Sequence, residues 1–364
     1  MFTPASSPSP TAPWRTALVG GLALLLATTA CAPGSEQERA AEAPGTGGTE
    51  RALSFEGGGH EVSASFRAPE EVSGTVPGAL IVSGSGPTDR DGNSPFRPEA
   101  NTNWNLSRVL ADAGVASLRY DKYGSGEAAP PGGEEAEVDP RVFDEQVAAA
   151  YEELVAQPEV DPDRVVVVGH SEGALYALRA HEIIGDGHPS PALVLAAPPG
   201  TRYLDLIDRQ LTEQVRTAEA LGQLQEGTAV ELLSDARTAR AAVRAGRPLA
   251  EAGVDSEYLY GVYSPVTEDF LAYMDSFDPV DLAASLPQGT PVLVLWGEED
   301  AQVSEADVDR LMTGLRDAER VDLTDTDHIL RRYEDSPGAT VLDAERPFAE
   351  EVAPALEEFL AGAW

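Results

Sequence analysis

A serine between two glycines is the residue of this sequence best suited to act as a nucleophile. Residues 169–173 read Gly-His-Ser-Glu-Gly and match the pattern G-x-S-x-G, directly after a run of four valines and before a segment of helical periodicity. A strand, a sharp turn and a helix in that order would present the Ser171 hydroxyl, with the N–H of Glu172 facing a developing oxyanion. We therefore predict a nucleophile at Ser171. The competing interpretation is a glycine-rich turn with an incidental serine.

A serine hydroxyl is a weak nucleophile, so it needs a histidine base that a carboxylate holds in place. His328 follows the last predicted strand, and it is the only one of the five histidines that comes after the strand ending before Asp300. We predict His328 as the base and Asp300 as the acid. Glu298, Glu299 and the neighbouring Asp327 are the alternatives for the acid.

A second oxyanion donor must come from a loop near the nucleophile. Residues 83–87 read Ser-Gly-Ser-Gly-Pro and follow the predicted strand 79–82. Small residues allow a backbone to approach a substrate closely, so the N–H of Ser85 or of Gly86 is the candidate. The alternative is an ordinary solvent-exposed turn.

The elements that would position these residues alternate between strands and helices. Unbroken valine and leucine runs indicate a mostly parallel sheet, an α/β architecture with helices on both faces. Strands are predicted at 52–55, 60–66, 79–82, 115–120, 164–168, 192–196, 291–296 and 320–323. Helices are predicted at 103–113, 141–157, 172–184, 305–316 and 346–361. Residues 203–275 show helical periodicity without a strand signal, which predicts a helical insertion.

Composition and charge exclude several kinds of partner. The 364 residues carry 25 basic and 62 acidic side chains, a net charge of −37 that disfavours nucleic acid and an electrostatically bound lipid surface. The single cysteine excludes an intramolecular disulfide and a four-cysteine zinc site, and the histidines lack metal-ligand spacing. We expect no metal and no cofactor.

The N-terminal region is predicted to be an export signal. An apolar run, 17–30, follows a polar stretch with one arginine and leads directly into Cys31. This arrangement resembles a bacterial lipoprotein signal, in which the cysteine becomes the lipidated N-terminus. Cleavage there would leave a net charge of −38. The alternative is a plain signal peptide or an uncleaved anchor.

These patterns divide the chain into segments. Residues 1–30 form the signal, 31–50 a flexible tether rich in Gly, Pro, Glu and Thr, and 201–276 the helical insertion. Residues 51–200 and 277–364 form the folded core. The protein is expected to be exported, either anchored on the extracytoplasmic side of the membrane through lipid on Cys31 or secreted.

Two longer motifs resemble those of bacterial α/β-hydrolases, in the serine esterase or acyl-hydrolase group. Residues 84–92 match its Gly-Ser-Gly-Pro-x-Asp-Arg-Asp-Gly loop, and residues 119–126 match Arg-x-Asp-Lys-Arg-Gly-x-Gly, with Tyr123 in place of the second arginine. The resemblance implies the α/β-hydrolase fold and its triad order of serine, acid and histidine. It also implies that Asp89, Arg90 and Asp121 brace the loops around the site.

The expected function is hydrolysis of a small carboxylic ester through an acyl-enzyme, with 201–276 as a lid over the serine. A serine peptidase of the same fold and a catalytically silent, ligand-binding lipoprotein are the alternatives. Five aromatic residues of the insertion would line an acyl pocket or form the insertion's own core; they are Tyr258, Tyr260, Tyr263, Phe270 and Tyr273.

Overall fold

The computed structural model describes residues 47–71, 73–127, 139–225, 227–254, 256, 258–334, 336 and 339–364. The predicted signal, Cys31 and most of the predicted tether lie outside these residues. Among the residues described, none of the helices combines the length and the apolar character needed to cross a bilayer.

The strands of the described chain form one eight-stranded sheet, as the apolar runs predict. They are β1 Thr49–Gly57, β2 His60–Ala68, β3 Val76–Val82, β4 Ala116–Tyr120, β5 Val160–His170, β6 Ala192–Ala196, β7 Val292–Gly297 and β8 Glu319–Leu323. Their order across the sheet is β1-β2-β4-β3-β5-β6-β7-β8. The β1–β2 and β2–β4 pairs are antiparallel, and the remaining pairs are parallel. The prediction of a mostly parallel sheet is confirmed.

Ten α-helices of the described chain connect or cover these strands. They are α1 Thr102–Asp112, α2 Arg141–Val155, α3 Gly173–Leu178, α4 Ala180–Ile184, α5 Tyr203–Ala220, α6 Thr228–Arg244, α7 Glu268–Asp275, α8 Pro279–Ser285, α9 Glu305–Met312 and α10 Val352–Gly362. Short 3-10 turns lie at Leu249–Glu251 and Asp343–Glu345. Helices α5, α6 and α7 lie within residues 203–275, where the sequence predicts the helical insertion, and α8 follows in the segment assigned to the core.

The central strand β5 shows why its valine run carries no polar positions. Side chains of a strand alternate between the two faces of a sheet. Val165 and Val167 pack in one hydrophobic cluster with α2 and α3, whereas Val166 and Val168 pack in a second cluster with α1 and α10. Both faces are therefore covered by helices, so every position of the run is apolar.

Three helix predictions were wrong at their boundaries. The predicted helix 172–184 is two short helices that meet at Arg179. Helix α9 ends at Met312, four residues early. The last helix begins at Val352 rather than at position 346; the backbone of Arg346 is extended, and its side chain pairs with Asp327 beside the predicted base.

Candidate active site

Ser171 occupies the turn that joins β5 to α3. Its φ angle is +53°, a left-handed conformation that a residue with a side chain seldom adopts. Its N–H donates to the carbonyl oxygen of Ala196 at the end of β6 (2.8 Å), and its own carbonyl accepts from the N–H of Ala174 (2.9 Å). Hydrogen bonds thus hold the strained turn on both sides.

The glycines on either side of this turn are required by packing. A Cβ atom at Gly169 would overlap the backbone of Gly173, and a Cβ at Gly173 would overlap the carbonyl oxygen of Val82 at the end of β3. Only a residue without a side chain permits such close backbone contact. The glycines of the G-x-S-x-G pattern therefore allow the strand, the helix and the neighbouring strand to meet beneath Ser171.

His328 and Asp300 form a buried hydrogen-bonded pair. The His328 Nδ1 lies 2.8 Å from the Asp300 Oδ2, and the two side chains are 7% and 0% exposed. A carboxylate only accepts hydrogen bonds, so the Nδ1 of the ring donates. The Nε2 of a neutral His328 ring therefore carries a lone pair, which is the form required of a general base.

The register of β7 and β8 brings this pair together. Gly297 at the end of β7 lies opposite Leu323 at the end of β8. The loops that follow are joined by hydrogen bonds from the N–H of Glu298 to Leu323 O (3.0 Å) and from the N–H of Glu299 to Thr326 O (2.9 Å). A Cβ at Gly297 would overlap the Thr326 carbonyl, so this glycine permits the contact.

The alternative carboxylates have other surroundings. Glu298 and Glu299 are exposed. Asp327 accepts from the backbone N–H groups of Ile329 and Arg331 (both 3.1 Å), and its second oxygen accepts from the Arg346 guanidinium (2.8 Å). Of these candidates, Asp300 is the one whose carboxylate contacts the His328 ring.

A second histidine ties the His328 loop to the turn that holds Ser171. The Nε2 of His170 donates to the His328 carbonyl oxygen (2.9 Å), and the two ring centroids lie 5.1 Å apart. Burial lowers the pKa of His170 to about 4, so the ring stays neutral near pH 7. The sequence alone did not predict this contact. The one available indication was the position of His170, directly before Ser171 in the G-x-S-x-G pattern.

The predicted oxyanion donors belong to two segments that adjoin the serine. A Cβ at Gly84 would come within 3.3 Å of the Ser171 Cβ, so the loop after β3 runs directly beside the nucleophile. Ser85 and Gly86, the next residues of that loop, are exposed, and Gly86 has a φ of +71°. Glu172, the residue after Ser171, is buried at the start of α3.

Asp89 and Arg90 stabilise the loop after β3, residues 84–92. The backbone N–H and the guanidinium of Arg90 donate to the two oxygens of Asp121, at 2.7 and 2.8 Å. The Asp89 carboxylate accepts from the N–H groups of Asp91 (2.9 Å) and Asn93 (2.8 Å). These contacts hold the loop onto the residues that follow β4.

The five aromatic residues of the insertion have different environments. Tyr258 and Tyr260 are 59% and 54% exposed, so they belong to no core. Tyr263 is buried, and Phe270 and Tyr273 pack against the same hydrophobic cluster. Of the five residues predicted to line a pocket or form a core, Tyr258 and Tyr260 therefore lie on the surface, and the other three are buried or half-buried.

A cavity of about 290 Å³ lies against α6 and α7 rather than at Ser171. Its lining includes Arg202 and Arg244, but both donate to the Asp275 carboxylate, and Arg244 also pairs with Asp205. We do not assign the substrate to it. Within the described ranges, no group of three or more His, Cys, Asp or Glu side chains is arranged to hold a metal ion.

Comparison with known protein families identifies the family of this chain. The model of the alpha/beta hydrolase family matches residues 79–344, which include Ser171, Asp300 and His328. The chain belongs to the alpha/beta hydrolase family. No curated protein matches this hydrolase by sequence.

Solved structures with the same fold include a ferulic acid complex, an esterase and a peptidase. Est1E from Butyrivibrio proteoclasticus with bound ferulic acid is 16% identical, with a TM-score of 0.52 over 86% of this hydrolase and 99% of Est1E. The Pyrococcus furiosus esterase Pf2001 is 16% identical, with a TM-score of 0.51 over 91% and 99%. Proline iminopeptidase from Mycobacterium smegmatis is 16% identical, with a TM-score of 0.52 over 85% and 98%. At these identities the likeness is one of fold.

Proposed function

We propose that this alpha/beta hydrolase is a serine hydrolase that cleaves carboxylic esters. The observation that carries the proposal is the buried Asp300–His328 pair, which the His170 hydrogen bond fastens to the strained turn of Ser171. Acyl transfer needs a nucleophile, a base in the correct tautomer and backbone donors for an oxyanion. Ser171, His328 and the backbone of the two segments that adjoin Ser171 are the candidates for these roles.

The proposed reaction has two steps. The Ser171 Oγ attacks the ester carbonyl while the Nε2 of His328 takes the hydroxyl proton, and Asp300 stabilises the imidazolium that forms. The N–H of Glu172 and an N–H of the Ser85–Gly86 segment donate to the oxyanion. His328 returns the proton to the leaving alcohol. Water, deprotonated by His328, then releases the acid from the acyl-enzyme.

The ester is preferred to the amide on the basis of structural likeness. Pf2001 is named as an esterase and Est1E is described with bound ferulic acid, whereas the Mycobacterium smegmatis neighbour is named as a proline iminopeptidase. The same residues would serve a peptidase, provided that His328 protonates an amine as it leaves. Peptide hydrolysis is therefore the second candidate.

Matched chromogenic substrates test the proposal. We expect turnover of a short-chain nitrophenyl ester by the purified protein, little turnover of the corresponding nitroanilide, and loss of turnover in Ser171→Ala and His328→Ala. A fluorophosphonate probe should label the parent protein and not Ser171→Ala. Retained activity in the serine variant would refute the proposal, and failure of the folded parent protein to be labelled would favour a silent ligand-binding role.

We propose that the helical insertion acts as the lid. Tyr203, the first residue of α5, donates its hydroxyl to the Glu172 carboxylate (2.5 Å), and its ring lies 5.8 Å from that of Phe270. The insertion therefore touches the residue next to the nucleophile. Phe270→Ala should extend the range of acyl chains hydrolysed, which a chain-length series would measure. An unchanged profile would place Phe270 outside the acyl pocket.

We propose export with lipid attachment at Cys31, a residue outside the described part of the chain. A neutral ester needs no acidic surface for binding, so the net charge of −37 is better explained by solubility outside the cytoplasm. Metabolic labelling with a radioactive fatty acid should mark the parent chain and not Cys31→Ser. Equal labelling of the two would refute the assignment.

A further inference from the structure

The only lysine of the chain, Lys122, is buried beside the nucleophile. Its ammonium group donates to the carbonyl oxygen of Gly84 and lies 3.2 Å from the Glu172 Oε1. Tyr203 donates to the other oxygen of Glu172 (2.5 Å). These bonds join the loop after β3, the loop after β4, the turn at the nucleophile and the start of the insertion.

Because the Lys122 ammonium group is buried, it must keep its hydrogen-bond partners. The Lys122 and Glu172 side chains are 8% and 3% exposed, and a buried charge is costly unless it is paired and hydrogen-bonded. Burial and the neighbouring carboxylate raise the pKa of Tyr203, so its hydroxyl keeps its proton and donates. Glu172 is therefore held from both sides, and Lys122 is held between Glu172 and Gly84.

The bond to Gly84 fixes the orientation of a peptide group. The described peptide bonds are all trans, so the Gly84 C=O and the Ser85 N–H point in opposite directions. With the carbonyl bound to Lys122, the Ser85 N–H faces away from the lysine. This peptide lies next to the nucleophile, because a Cβ on Gly84 would come within 3.3 Å of the Ser171 Cβ, and the residue that carries the N–H, Ser85, is exposed.

We propose that Lys122 is a positioning residue that orients the Gly84–Ser85 peptide, so that the N–H of Ser85 donates to the oxyanion. The proposal rests on the proposed acyl-transfer function, and it selects Ser85 over Gly86 as the donor. The lysine does not touch the substrate. It acts by preventing rotation of the peptide, which would turn a carbonyl oxygen toward the developing negative charge.

The first experiment deletes the N–H alone. Ser85→Pro removes the donor, and Ser85→Ala keeps it while removing the hydroxyl. We expect the kcat for a nitrophenyl ester to fall about 100-fold from Ser85→Ala to Ser85→Pro, with KM changed by no more than about threefold. The affinity for a boronic acid inhibitor, which forms a tetrahedral adduct on Ser171, should fall by a similar factor from Ser85→Ala to Ser85→Pro. A retained kcat in folded Ser85→Pro would overturn the proposal.

The second experiment isolates the lysine from the buried ion pair. The double variant Lys122→Met with Glu172→Gln removes the bond to Gly84 together with both charges of the buried pair. Glu172→Gln keeps the Lys122 ammonium group but leaves it without its carboxylate, so circular dichroism must first show that this variant is folded. We expect kcat to fall about 10- to 100-fold from Glu172→Gln to the double variant, again with little change in KM. Equal kcat values in two folded proteins would overturn the proposal, because the ion pair would then be only structural.

Two controls keep the outcomes distinct. Circular dichroism reports whether the double variant folds. If it does not, the Ser85 pair still tests the donor on which the proposal depends, because a retained kcat in folded Ser85→Pro would overturn it. Parent activity and its loss in Ser171→Ala are measured first. If the folded parent protein does not hydrolyse the ester, the proposed function itself is refuted. If the parent is active and the Ser85 and Lys122 variants keep its kcat, only the proposed roles of Lys122 and of the Ser85 N–H are refuted.

Discussion

The Asp300 carboxylate accepts three hydrogen bonds, and Asp300→Asn should reverse one of them. Its Oδ1 accepts from the N–H groups of Gln302 (2.7 Å) and Val303 (2.9 Å), and its Oδ2 accepts from the His328 Nδ1 (2.8 Å). In the asparagine variant, the two backbone donors require an oxygen at the first position. The amide nitrogen must therefore face His328.

This arrangement would force the wrong tautomer on the ring. An amide N–H₂ donates, so the His328 Nδ1 would have to accept, and the proton of the neutral ring would move to Nε2. That nitrogen could no longer take the proton of Ser171. Loss of the base in this way costs about 10⁴-fold in kcat, or about 5 kcal/mol of transition-state stabilisation.

The assay is the kcat/KM for a nitrophenyl ester, with Ser171→Ala as the lower limit. Glu299→Gln is the matched control, because it makes the same chemical change at an exposed carboxylate one residue away. Asp327→Asn tests the acid next to His328, whose oxygens are bound to backbone N–H groups and to Arg346 instead of the ring.

We expect Glu299→Gln and folded Asp327→Asn to keep kcat within about threefold of the parent. A folded Asp300→Asn protein with more than about a tenth of the parent activity would refute the tautomer argument. A loss of about 10⁴-fold in Asp327→Asn would instead assign the acid to position 327.

Three further predictions concern stability. Gly169→Ala should lower the free energy of unfolding by about 3 kcal/mol because its Cβ meets backbone, whereas Gly187→Ala, where a Cβ meets open space, should change it little in thermal unfolding. His170 is protonated in the unfolded chain below its ordinary pKa of 6.5 but stays neutral in the folded one down to about 4, so stability is lost as pH falls through this window. From pH 7 to 5 the loss due to His170 is about 2 kcal/mol, and urea titrations of His170→Gln should show a correspondingly shallower decline. Asp121→Asn, which weakens the buried pair with Arg90, should cost about 3 kcal/mol, and an unchanged urea midpoint would contradict that brace.

Local patterns predicted the fold because they reflect burial on both sides of a strand. The valine run of β5 and the leucine and valine run of β7 are covered on both faces. Their unbroken apolar sequence alone therefore identified them as strands of a parallel sheet. Helix ends were predicted less well. Arg346 shows why, since its ion pairs with Asp327 and Asp343 come from tertiary packing and not from helix propensity.

The site was predicted in part. Ser171 and His328 followed from the G-x-S-x-G pattern and from chain order, which are properties of the sequence. The contact between His170 and His328 spans 158 positions and leaves no periodic signal. The same is true of Lys122, whose partner Gly84 lies 38 positions away.

The sequence by itself determined the chemistry on offer: a serine in a turn that only glycines can flank, a histidine and several carboxylates after later strands. Only the tertiary structure decided which carboxylate meets the histidine, because Glu298, Glu299, Asp300 and Asp327 are equivalent as titratable groups in the chain. Burial and the direction of hydrogen bonds separate them, and both depend on the register of β7 against β8. The position of Lys122 was decided in the same way, by a carbonyl oxygen that the folded chain places within reach of its ammonium group.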